Sequence, residues 1–180
     1  MNLFVMRHGT TVWNEKGITQ GHSQNRLSTS GKKLVEDVSK KYRDEKFDLI
    51  VVSPLFRTVQ TANIMNKYHK VKIIKDDLLL EIDQGIFTGR HFKSLTTEEV
   101  ILKKQRSKQA KMESFEDCFK RVQNFVDRIK NKYSCQNLLI ITHNCIATFI
   151  EDIILNKEVN FTDKNFIVNF DNAELKKFEF

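Results

Sequence analysis

The chain has 180 residues, 40% of them hydrophobic and 29% charged, with 30 Lys+Arg against 23 Asp+Glu for a formal charge of +7. That length suits one domain with a real core, and the composition excludes a disordered, collagen-like or coiled-coil chain. No apolar run approaches the ~20 residues of a membrane span, and Met1-Asn2-Leu3-Phe4-Val5 lacks the basic and apolar regions of a signal peptide.

Cys118, Cys135 and Cys145 are odd in number and lack metal-ligand spacing, so neither a disulfide framework nor a zinc site is expected, and a reducing cytoplasm fits best. The lysines are spread along the chain apart from Lys103 to Lys111, KKQRSKQAK, which reads as a solvated helix face or loop. No nucleic-acid partner is expected from that pattern. Attraction of anionic substrates uses the same charge.

In chain order, Leu3 to Met6 is a buried strand that stops at Arg7-His8-Gly9. A polar loop with Gly17 and Gly21 follows. Ser30-Gly31 then opens a helix with Leu34, Val35 and Val38 inward. Asp48 to Val52 is the second strand, ending at Ser53-Pro54, and the next helix turns Val59, Ala62, Ile64 and Met65 inward. Val71 to Ile74 is the third strand. Residues 78–93 are irregular and hold Glu81, Gly85 and Gly89, and 94–108 are polar and helical. Ser114, with Asp117 three residues on, caps a helix that carries Phe119, Val122, Phe125, Val126 and Ile129 on one face. Leu138 to Ile141 is the fourth strand, ending at Thr142-His143-Asn144, and a helix runs from Ile146 to Leu155. Phe166 to Val168 and Glu174 to Phe180 read as a terminal hairpin. Strands alternating with helices predict an α/β three-layer sandwich: a mainly parallel sheet, helices on both faces and an antiparallel edge strand.

Ligands of open α/β sheets bind beyond the carboxyl ends of the strands. Three such ends here carry Arg7-His8, Ser53-Pro54 with Arg57 one turn later, and Thr142-His143. Two His and two Arg on one rim suit a phosphate better than a metal. Guanidinium forks grip phosphoryl oxygens in pairs, and a neutral imidazole can attack phosphorus. Glu81 is within chain reach of the same rim, where a carboxylic acid could protonate a leaving oxygen. His22 and His69 read as surface residues, Ser53 as a turn or loop hydroxyl, and Trp13 as loop packing.

The run Met6-Arg7-His8-Gly9-Thr10-Thr11-Val12-Trp13-Asn14 resembles the signature of the histidine phosphatase superfamily, also called phosphoglycerate mutase-like. Gln20-Gly21 with Leu27-Ser28, Ser53 to Ala62, Leu80 to Gly85, and Thr142-His143-Asn144 are similar to its further motifs, in the family's order. The resemblance covers essentially the whole chain, read as a single domain 1–180 with a modest helical cap at about 86–114.

The resemblance implies a phosphomonoester hydrolase acting through a covalent phosphohistidine. His8 is the implied nucleophile. Arg7, Arg57 and His143 hold the phosphoryl oxygens, and Glu81 is general acid and then base. Asn14, Gln20 and Gly21, with Arg90 beside them, are the expected substrate contacts, and no metal or cofactor is required. The expected partner is a small phosphate ester, such as α-ribazole phosphate or a sugar or glycerate phosphate; a homodimer is left open. Thr10 replaces the family's usual Glu, Asn144 its usual Gly, and Ile86-Phe87-Thr88-Gly89 its aromatic and Glu-Gly pair, departures that bear on specificity. A cofactor-dependent phosphoglycerate mutase is the runner-up, disfavoured by the short polar stretch between Arg90 and Ser114. A non-catalytic phosphate-ligand or protein-binding module on the same fold is a third reading.

Overall fold

The computed structural model describes residues 1–133, 135–161 and 170–180. Its strands are β1 (Asn2–Arg7), β2 (Leu49–Val52), β3 (Lys72–Lys75), β4 (Asn137–Thr142) and β5 (Leu175–Glu179). Its α-helices are α1 (Val12–Glu15), α2 (Thr29–Lys41), α3 (Phe56–Met65), α4 (Thr97–Lys104), α5 (Phe115–Lys132) and α6 (Asn144–Ile154). One sheet runs β3-β2-β4-β1-β5, with β1 to β4 mutually parallel and β5 antiparallel along β1.

The period of two along each strand feeds two separate cores. Leu3, Val5, Val51, Leu138 and Ile140 pack on one face with Val122, Phe125 and Ile129 of α5 and Ile146, Phe149 and Ile150 of α6. Phe4, Met6, Ile50, Val52, Leu139 and Ile141 pack on the other with Val35 of α2 and Ala62 and Met65 of α3. Each of these fully buried side chains except Ala62 is worth roughly 1.5–3 kcal/mol. The expected three-layer sandwich with an antiparallel edge strand is the fold observed. The Phe166 to Val168 limb of the expected hairpin lies outside the described residues.

Local departures from the sequence reading have identifiable causes. Helix α2 starts at Thr29 because Ser28 Oγ accepts from the Gly31 amide at 3.0 Å. Val35 is buried and Val38 packs against the same core, while Leu34 is 40% exposed. On α3, Thr58 and Thr61 are buried and the apolar Val59 and Ile64 only half-buried. Both threonine hydroxyls donate to backbone carbonyls, Thr58 to Leu55 at 2.6 Å and Thr61 to Arg57 at 2.8 Å. The helix expected over 94–108 is α4 alone. A capping box of Thr96 and Glu99 starts it, and Arg106 at φ +49° lies just beyond its end.

Gly31 lets α2 approach the loop after β1, since a Cβ there would meet the Thr10 carbonyl oxygen at 1.9 Å. The segment between β3 and α5 is pinned at its far end by Glu113. Its carboxylate takes Arg121 Nε and Nη2, both at 3.0 Å, and the Asp83 amide at 3.1 Å. Phe87, Ala110 and Met112 form a small core of their own within it.

Candidate active site

The parallel register brings the strand ends together. The His8 amide donates to Thr142 O at 3.0 Å and the Ser53 amide to Ile141 O at 3.1 Å, so the residues just past β1, β2 and β4 share one rim. Loop residues 18–21, the segment around Glu81 and α4 close over it. The result is a cavity of about 270 Å³ lined by Arg7, His8, Arg57 and Glu81 among others.

The His8 ring is fixed in one tautomer. Its Nδ1 lies 2.7 Å from Gly9 O, and a carbonyl only accepts, so Nδ1 carries the hydrogen and Nε2 the lone pair. Arg57 Nε lies 3.2 Å from His8 Nε2 and 3.2 Å from His143 Nδ1, one N–H shared between two imidazoles. His143 therefore carries its hydrogen on Nε2, which lies 2.8 Å from Ser53 Oγ. The two rings meet edge to face with centroids 5.3 Å apart. Burial, reinforced by the Arg57 charge, holds both histidines well below the usual imidazole range, so both are neutral at pH 7.

Arg57 is almost wholly buried. Its Nη1 donates to Ser23 O and its Nη2 to Gly21 O, each at 2.9 Å. Burial lowers its pKa to about 10, leaving it a cation at neutral pH. Arg7 Nη1 donates to Phe170 O at 2.7 Å, whereas its buried Nε has no hydrogen-bond partner among the described residues. A buried unpaired donor costs about 1–3 kcal/mol. An oxyanion in the cavity would remove that cost. Burial raises the Glu81 carboxyl above its ordinary range against the opposing pull of Arg57, the Ile82 amide and Arg7. Its backbone is held by His22 Nε2, 2.6 Å from Glu81 O, so His22, though exposed, braces the acid-bearing segment.

Asn14, Gln20 and Gly21 also line the cavity. Asn14 has a structural duty as well, since its Oδ1 accepts from the Thr11 amide at 3.0 Å in the capping box of α1. Arg90 does not reach the cavity. Its two terminal nitrogens grip the Glu99 carboxylate instead, because α4 places that acid beside the Gly89 turn. The cation that α4 does send into the cavity is Lys103, whose Nζ donates to Thr19 Oγ1 at 2.8 Å. The reading of Lys103 to Lys111 as one solvated face fails at Lys103 and at Arg106, which donates to Glu113 O at 2.8 Å. Helical spacing does not mark the two as an inward pair, because Arg106 lies beyond the end of α4 with a left-handed backbone. Asn144, at the N-terminus of α6, and Gln84 line the cavity too.

Fold and site define an α/β protein with a cavity lined by histidine and arginine at the carboxyl ends of its parallel strands. The chain belongs to the histidine phosphatase superfamily, branch 1, whose family model matches residues 3–180. It is 35% identical over 105 residues to a protein named "Probable phosphoglycerate mutase GpmB" of Yersinia enterocolitica, covering 58% of this chain and 49% of that relative. The chain thus spans about half the length of that relative. It is 27% identical over 154 residues to phosphoserine phosphatase 1 of Hydrogenobacter thermophilus, covering 79% of this chain and 71% of the relative. Among solved structures, the α-ribazole phosphatase of Shigella flexneri superposes with a TM-score of 0.81 at 24% identity, over 88% of this chain and 81% of that one, a likeness of fold. No helix among the described residues is long and apolar enough to cross a membrane.

Proposed function

We propose that this chain is a phosphomonoester hydrolase acting on a small phosphorylated metabolite through a phosphohistidine at His8. The observation that carries the reading is the Gly9 carbonyl 2.7 Å from His8 Nδ1, which leaves the lone pair of a cavity-lining ring on Nε2. In the first step His8 Nε2 attacks phosphorus. The bond from phosphorus to the ester oxygen breaks, and the Glu81 carboxylic acid gives that oxygen its proton. Arg57 Nε, shared with His143, shifts off His8 Nε2 as the bond forms. Arg7 Nε and the released Arg57 Nε then donate to the phosphoryl oxygens, with His143 beside them, where fixed cationic donors lower the barrier most. In the second step the Glu81 carboxylate removes a proton from water, the water oxygen bonds to phosphorus, the N–P bond breaks, and phosphate leaves. Residues 86–114 serve as a modest cap over the reacting atoms.

The experiment is turnover of p-nitrophenyl phosphate and a panel of phosphate esters in the presence of a chelator, with His8→Ala as control, following both phosphate release and isomer formation. Release that disappears in His8→Ala supports a histidine phosphatase. Isomer formation without release would make the chain a mutase, and silence on every ester would favour a binding module on the same fold.

A further inference from the structure

The cavity has a second cationic centre that the two steps above do not use. Lys103 comes from α4, a separate element from the strand ends that carry Arg7 and His8. It is half-buried, with its Nζ on Thr19 Oγ1 at 2.8 Å and 5.8 Å from the centre of the Phe87 ring. No carboxylate lies within ion-pair distance of it among the described residues. A lysine with that freedom ordinarily turns to water. Lys103 is instead aimed inward by the docking of its helix. One turn earlier, Glu99 accepts from Arg90 Nη2 at 3.0 Å and from the Thr96 amide at 2.9 Å. Thr19 is in turn tied to the same turn, its amide to Arg90 O at 2.9 Å and its carbonyl to the Gly89 amide at 2.8 Å.

The surroundings favour an anion at this point. Burial and the nearby Arg106 charge both lower the Lys103 pKa. Arg106 is already engaged with Glu113 O and Gln84 Oε1. Of twelve lining residues Ile18 alone is aliphatic, so the cavity offers little wall for an apolar or aromatic leaving group. Its volume of about 270 Å³ also lies at the small end for ligand sites.

We propose that Lys103 is a specificity-determining residue that binds a carboxylate on the same molecule whose phosphoryl group sits against Arg7, His8 and Arg57. The substrate class is then a small phosphorylated carboxylic acid rather than a neutral or aromatic phosphate ester. This rests on the phosphomonoester reading of the cavity. Arg90 becomes a positioning residue, acting through Glu99 and α4.

The test is calorimetric binding of two unhydrolysable probes of equal size, 3-phosphonopropionate and 3-methylbutylphosphonate, to the wild-type chain, Lys103→Met and Lys103→Arg. Wild type binds the carboxylated probe about tenfold or more tightly than the other, the worth of one charge-assisted hydrogen bond. In Lys103→Met the preference shrinks to within about threefold, mostly through the carboxylated probe, and Lys103→Arg regains most of it. Parity in wild type, a preference that survives Lys103→Met, or an equal loss on both probes would overturn the assignment. Absence of binding by either probe would overturn it as well. The phosphatase reading fails differently, as absence of ester turnover while the binding preference persists.

Discussion

Replacing Arg57 with lysine keeps the charge and removes the fork, so it isolates geometry from electrostatics. The guanidinium serves four acceptors from three nitrogens: two imidazole nitrogens at 3.2 Å through Nε, and the Ser23 and Gly21 carbonyls at 2.9 Å through Nη1 and Nη2. An ammonium sits at one point and leaves at least two of the four unserved. Each unpaired buried group costs about 1–3 kcal/mol, so Arg57→Lys loses about 2–6 kcal/mol of stability. For a chain of this size that is a fall in Tm of roughly 4–24 °C. Loss of the fixed Nε–H donor facing the phosphoryl oxygens removes about 3 kcal/mol of transition-state binding, or about 150-fold in kcat/KM.

The same substitution carries a pH signature. Burial lowers the Arg57 pKa to about 10, a cost of roughly 3 kcal/mol. A lysine bearing that cost from its ordinary value near 10.4 loses its proton around pH ~8. Residual activity of Arg57→Lys therefore declines above about pH 8, where the wild-type guanidinium is still charged. Thermal melts and kcat/KM from pH 6 to 9 on a common ester read both effects. Wild-type Tm together with wild-type kcat/KM in Arg57→Lys would refute the fork argument.

Glu81→Gln should slow phosphorylation of His8 by alkyl phosphates by about 10²–10⁴ in single-turnover measurements and spare the p-nitrophenolate burst from p-nitrophenyl phosphate, whose leaving group needs no proton. Equal losses on both would remove Glu81 as the acid. In wild type the alkyl-ester rate falls as pH rises through the elevated Glu81 pKa, because the protonated form is the one that acts. Gly31→Ala pushes a methyl into the Thr10 backbone at 1.9 Å. It should cost about 1–3 kcal/mol, seen as a Tm drop of roughly 2–12 °C, and an unchanged melt would contradict the close approach of α2. His8 and His143 are held neutral in the folded chain, so the unfolded chain takes up their protons first as pH falls below 6.5. Stability then falls by up to ~2.7 kcal/mol per pH unit, less about half of that as the raised Glu81 takes up a proton in the folded state. A urea midpoint that stays flat from pH 7 to 5 would count against two buried neutral imidazoles.

The strands and the rim were legible because both follow from local pattern. Apolar runs such as Leu138 to Ile141 are strands covered on two faces, and the polar residues just beyond them must emerge at one edge of a parallel sheet. That logic brings Arg7, His8 and His143 together without knowledge of any loop. It says less about α3, where Ile64 packs at the edge of the core but Val59 does not join it. Thr58 and Thr61 are buried there because short-range bonds to carbonyls satisfy their hydroxyls. It also interchanged Arg90 and Lys103. Both are cations in the segment between Glu81 and α5, and which one enters the cavity depends on the Arg90 grip on Glu99, a tertiary contact that sets the rotation of α4. Composition and spacing carry no trace of that contact.

The most direct measurement is mass spectrometry of the peptide containing His8 after an alkaline quench during turnover of a phosphate ester. The account predicts the mass of one phosphoryl group on His8, absent from His8→Ala and from enzyme quenched without ester. Sustained turnover with the phosphoryl group on another residue such as Ser53, or with no covalent adduct under single-turnover conditions, would contradict it.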